Sequence, residues 1–145
     1  MSFQRWLILK DNISKDLVDE YFVISNISLN ILNQQYVSAV LCGEFSEVVL
    51  KYLIRRYVKG SSDKTHNLVV LLSILNKKTN KRMSSKVHSI TYKLSRKTIN
   101  NLRSLNYTNF RYNEISERQL KALKEVFQVC QELYSCLICK PKKGI

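Results

Sequence analysis

The stretch SERQLKALKEVFQVCQELYSCL, residues 116–137, decides the fold class. Ser116 stands where a helix N-cap accepts an orphan backbone N–H. Gln119, three residues on, holds the reciprocal position of a capping box. Leu120, Leu123, Val126, Phe127, Cys130, Leu133, Tyr134 and Leu137 then recur at three- and four-residue steps, which places them on one helix face. Pro141 has no amide hydrogen and stops the helix. A helix with one broad apolar face must bury it against other elements.

Upstream, the same period returns. Ser14 followed by Asp16 marks a helix start, with Leu17, Val18, Tyr21, Phe22 and Ile24 at helical spacing up to a break at Asn26–Ser28. Leu29, Leu32, Tyr36, Val37 and Val40 form a second stretch, closed by Cys42-Gly43 with Gly43 as a left-handed C-terminal residue. Ser46 is read as the cap of a third helix. Its apolar stripe is Val48, Val49, Leu53, Ile54 and Tyr57, with Lys51, Arg55, Arg56 and Lys59 along the other side, and Gly60-Ser61-Ser62 ends it. Asp63 or Thr65 begins a helix whose Leu68, Val69, Leu71, Leu72 and Leu75 are apolar nearly all round, the pattern of a central bundle helix. Residues 77–85 read as an exposed basic connection. Val87, Ile90, Leu94, Ile99, Leu102 and Leu105 predict one long amphipathic helix, with Lys86, Lys93 and Lys97 on its other face. Tyr107, Phe110 and Tyr112 fall in an aromatic loop.

The fold expected is therefore all-α, a compact bundle of six or seven helices. Its parts are a bundle over 1–76, a basic linker over 77–85 and C-terminal helices over 86–145 that pack on the bundle or extend it. Composition agrees. Of 145 residues, 45% are hydrophobic, enough for a core, and one proline and three glycines are too few for a fold with many tight turns. The first ten residues lack the apolar run and small-residue cleavage site of a secretory signal. The longest apolar run, Leu68–Leu75, is too short to span a bilayer. The chain is expected in the cytoplasm, or in the nucleus, with its cysteines reduced.

No catalytic constellation is legible. The two histidines, His66 and His88, lie in different predicted helices, and no G-x-S-x-G, H-E-x-x-H or phosphate-binding glycine loop occurs. The chain is expected not to be an enzyme and to carry no cofactor. Cys130, Cys136 and Cys139 include one C-x-x-C pair, whereas a structural zinc site normally takes two, so no metal is expected.

Charge is more informative. The formal net charge is +13, and it is unevenly placed. Residues 1–60 hold seven Lys/Arg and six Asp/Glu, whereas 61–100 hold nine against Asp63 alone. Lys77, Lys78, Lys81, Arg82, Lys86, Lys93, Arg96, Lys97 and Arg103 could neutralise phosphates, which supplies sequence-independent affinity for nucleic acid or another polyanion. In the balanced first part, Asp16, Asp19 and Glu20 form an acidic patch, and Lys51, Arg55 and Arg56 a basic one.

The order of these elements over residues 4–76 resembles the caspase-recruitment domain of the death-fold superfamily. Trp6–Phe22, including Leu17-Val18-Asp19-Glu20-Tyr21-Phe22, is similar to its opening helical region, and Leu29–Val40 to its third helix. Ser46–Arg56 is similar to its fourth helix, which ends in basic residues, and His66–Leu75 to its fifth. The resemblance implies association through oppositely charged faces, here the acidic and basic patches named above. The expected function is thus a non-catalytic protein–protein interaction module or adaptor, of the kind that assembles signalling complexes in cell death or innate immunity. The partner is another protein or a second copy. A basic nucleic-acid-binding protein using residues 77–103 is the second reading. A Bcl-2-like helical bundle of viral type, which suits the length, is the third.

Overall fold

The computed structural model describes residues 13–27, 35–58, 60, 63–79, 81–103, 105 and 116–139, with side chains from Ala39 onward in the second segment. These form six α-helices: α1 (Lys15–Ile27), α2 (Gln35–Tyr57), α3 (Leu68–Lys78), α4 (Lys81–Thr91), α5 (Arg96–Arg103) and α6 (Glu117–Leu133). A wider π-type turn, Tyr134–Ile138, continues α6. No strand occurs among the described residues. The all-α bundle expected from the sequence is the observed fold.

Helix α2 is the hub and packs against α1, α3 and α6; α4 and α5 also lie against α6. Every residue from Cys42 to Lys51 is buried, on all sides of the helix. The central helix is therefore α2, not the Leu68–Leu75 segment, where Val70 is 43% exposed. Phe45 joins three layers. Its ring meets Phe127 of α6 edge-on at 5.4 Å, Tyr134 at 6.0 Å and Phe22 of α1 at 5.9 Å, and Phe22 stacks on Tyr134 at 4.6 Å. Such ring pairs add about 0.5–1.5 kcal/mol each beyond the area they bury.

Helix boundaries follow local chemistry where a cap is present. Ser14 Oγ accepts from Leu17 N at 3.2 Å and starts α1. Ser116 and Gln119 form the full capping box on α6. Elsewhere the boundaries move. Gly43 and Ser46 do not separate two helices: α2 runs through both, and Ser46 Oγ donates to Cys42 O at 2.7 Å instead of capping. A buried serine can bond the carbonyl four residues back, which satisfies it without ending the helix. Helix α3 starts later than Asp63 or Thr65, because Asn67 Oδ1 accepts from Val69 N and Val70 N. Gly60, at φ +73°, turns the chain after α2.

The long helix expected over 86–105 is two. Ser95 Oγ accepts from Thr98 N at 3.1 Å and caps α5, so the chain turns between Thr91 and Arg96. Residues 77–85 are mostly helical too, with Lys77 and Lys78 in the last turn of α3 and Lys81 opening α4. One continuous core joins Val18, Leu71, Val87, Leu102 and Leu123. The expectations for Trp6, Leu29, Leu32, Lys59, Ser61, Ser62, Tyr107, Phe110, Tyr112 and Pro141 lie outside the described residues.

Candidate interaction surface

The outer stripe of α1 is built by spacing alone. Asp16, Glu20, Val23, Ile24 and Ile27 stand four, three, one and three residues apart, so one helix face carries them all. Asp16 and Glu20 are exposed. Val23, Ile24 and Ile27 are 54%, 50% and 42% exposed. The stripe is thus acidic in its first half and aliphatic in its second. Ile24, read from its spacing as core, points outward, while Val18, Tyr21 and Ser25 point in. Asp19 lies at the stripe's edge. Its carboxylate takes Lys15 Nζ at 3.0 Å and the Tyr134 hydroxyl. Burial pushes this carboxyl upward, and those two hydrogen bonds outweigh it and leave it below its ordinary value.

The basic patch expected on α2 does not form as an exposed face. Lys51 is wholly buried: its Nζ sits 2.8 Å from Glu47 Oε2, and neither side chain has any exposure. It is on the stretch of the hub helix from Cys42 to Lys51 that is buried on every side, so spacing could not place it outside. Arg55 is held by Asp63, with Nε to Oδ2 at 2.7 Å and Nη2 to Oδ1 at 3.4 Å. Arg56 alone of the three is exposed, its guanidinium 5.8 Å from the centre of the Tyr57 ring. Of the three expected docking cations, Lys51 is therefore internal and Arg55 is a partly exposed tie to Asp63.

Those ties belong to a polar cluster that sequence reading missed. Glu47 Oε1 accepts from His66 Nδ1 at 2.7 Å, while Oε2 takes Lys51. One turn earlier, Glu44 is 5% exposed and is hydrogen-bonded to Tyr21 of α1. Burial, then the neighbouring Glu47 carboxylate, pushes the Glu44 carboxyl up to about 7, against the pull of Tyr21. Burial and the same two carboxylates push the Tyr21 phenol upward. The cluster fastens the segment between α2 and α3 back along α2, through Arg55–Asp63 and Glu47–His66. Its one legible signal is the Glu47/Lys51 pair at four-residue spacing.

The nine cations proposed from the sequence to meet phosphate all stand on the surface. Lys77, Lys78, Lys81, Arg82, Lys86, Lys93, Arg96, Lys97 and Arg103 are exposed, spread over the end of α3, α4, the turn that follows it and α5. Lys93 alone of these is in an ion pair among the described residues, to Glu132 of α6 at 2.6 Å. Tyr92, in the turn between α4 and α5, is 75% exposed.

The thiols divide by depth. Burial pushes Cys42 and Cys130 up to about 12 and keeps them protonated. Cys136 and Cys139 are exposed. No group of three metal-ligating side chains occurs among the described residues. No helix among them is long and apolar enough to cross a membrane. A polar cleft of about 340 Å³ opens between α5 and α6. No protein-family model matches this chain, no curated protein matches its sequence, and no solved structure matches its fold.

Proposed function

We propose that this protein is a non-catalytic interaction module of the cytoplasm, an adaptor that assembles by docking the outer stripe of α1 onto the basic surface of a second copy. The carrying observation is the exposure of Val23, Ile24 and Ile27 on one helix face beside Asp16 and Glu20. Apolar side chains supply the drive to leave water, and the acids supply orientation. The complementary surface is Lys81, Arg82 and Lys86 of α4, exposed and without an ion pair among the described residues. This keeps the mode of association that the resemblance to the caspase-recruitment domain implies. It moves the basic partner surface from α2, where Lys51 is internal, to α4. Because the two surfaces differ, the contact is head-to-tail, and it builds chains unless the rotation closes a ring.

Sedimentation velocity over a concentration series tests this, at an ionic strength where the Debye length of about 8 Å screens the repulsion between whole molecules. Association is expected to weaken with Val23→Gln plus Ile24→Gln, and with Lys81→Glu plus Arg82→Glu. Mixing the latter with Asp16→Lys plus Glu20→Lys should restore it. A protein that stays monomeric at every concentration, or variants that associate unchanged, would sink the reading.

A second reading is favoured by the nine exposed cations and by Tyr92: binding of a nucleic acid or another polyanion along α3–α5. Its signature is affinity for RNA or duplex DNA that falls linearly, on logarithmic scales, with salt. Absence of binding at low salt removes it.

A further inference from the structure

The cleft between α5 and α6 is polar and lies within the basic surface. Its walls carry three cations, Lys97 of α5 and Arg118 and Lys121 of α6, together with Asn101, Glu117 and Glu125. All three cations are exposed, and none is in an ion pair among the described residues. Glu125 is half-buried and held by the hydroxyl of Thr98, itself buried, so its carboxylate is fixed in place at the cleft wall. Cations alone would describe a phosphate site. Two carboxylates and an amide beside them ask for something more: a ligand that brings hydroxyl donors as well as negative charge. Carboxylates repel a bare phosphate, but they accept hydrogen bonds from a sugar's hydroxyls. The volume, about 340 Å³, is at the lower end for small-molecule sites and suits one nucleotide unit.

We propose that this cleft binds a ribose-phosphate unit, with the phosphate against Lys97, Arg118 and Lys121 and the ribose 2′-hydroxyl against Glu125 and Asn101. The unit comes either from a free ribonucleotide or from an RNA strand lying along the basic surface. The 2′-hydroxyl, a donor and an acceptor, is then what separates RNA from DNA at this site. The strand form of the proposal rests on the polyanion reading and specifies it; the free-nucleotide form stands without it.

Fluorescence anisotropy of labelled oligouridylate and oligothymidylate tests the proposal, with unlabelled uridine monophosphate and heparin as competitors. Oligouridylate should bind more tightly than oligothymidylate. Arg118→Gln plus Lys121→Gln, both exposed and therefore safe for the fold, should weaken it by about a hundredfold or more, since each change removes a hydrogen bond to a charged group. Lys77→Gln plus Lys78→Gln should weaken both oligonucleotides alike. Competition by uridine monophosphate assigns the site to the free nucleotide, and its failure beside tight oligouridylate binding assigns it to the strand. Equal binding of the two oligonucleotides, unchanged by the cleft variants, overturns the cleft and leaves the polyanion reading standing. No binding of either oligonucleotide, together with no binding of uridine monophosphate by calorimetry, overturns both.

Discussion

Glu44 gives the protein an unusual dependence on pH. Its carboxyl is raised from 4.5 to about 7 by burial and by Glu47. Between those two values the folded state holds a proton that the unfolded chain has released. Its contribution to stability is therefore full below about 4.5 and is lost as the pH rises to about 7. Glu44→Gln keeps an acceptor for Tyr21 and removes the titration. It should stabilise the protein at pH 8 by on the order of 2–3 kcal/mol and flatten the pH profile, as read by urea unfolding across pH 4–8. A variant no more stable than the parent at pH 8 would show that Glu44 ionises without cost. Lys51 makes the opposite case. Lys51→Met removes one partner of a wholly buried pair and leaves the Glu47 carboxylate to His66, with an expected loss of about 3–5 kcal/mol. Glu47→Leu combined with Lys51→Met should cost clearly less than the sum of the single changes. Strict additivity in the unfolding midpoints would contradict the coupling. Neither residue's burial was legible, since acids and lysines are seldom buried unless paired and the partner His66 lies 19 positions away.

At the scale of the element, caps mattered more than apolar spacing. Ser14 and Ser116 were legible because each precedes an apolar-periodic run, and both act as caps. Ser46 and Gly43 looked like the same kinds of signal but lie inside α2, because packing on every side holds that helix together across weak local propensity. Asn67 and Ser95 were missed, although both are among the residue types that cap best, and they set where α3 and α5 begin. Asn67→Ala and Ser116→Ala should each lower stability by about 1 kcal/mol in thermal unfolding. Gly60→Ala should lose about 1 kcal/mol through its left-handed backbone alone, since nothing lies within 4 Å of the added methyl. A loss well above that would mean the turn after α2 is packed more closely than the structure shows.

Over the whole molecule, charge and apolar exposure divide the surface. Acids and aliphatics share the outer stripe of α1, and exposed cations line α3, α4 and α5, with Val70 and Tyr92 exposed among them. The two proposed uses of the basic surface compete. Lys81, Arg82 and Lys86 cannot meet the α1 stripe of a second copy and a polyanion at once. Adding heparin to an associated sample should therefore return the sedimentation coefficient to that of the monomer. It should leave the coefficient unchanged where Lys81→Glu plus Arg82→Glu has already abolished association. Persistence of the assembly under heparin would separate the two surfaces.

The helical class follows from the apolar period of residues 116–137 and the scarcity of breakers, with no knowledge of the packing. The basic character of 77–103 is equally legible, because a run of nine cations without an acid cannot be buried and must face water wherever the chain folds. Which helix is central and which charges are internal depends on how the helices pack. A period shows that a helix has an apolar side, not how many neighbours cover it. Helix α2 is covered on every side, so its Glu44, Glu47 and Lys51 became part of the core. Helix α1 is covered on one, so Val23, Ile24 and Ile27 were left facing water.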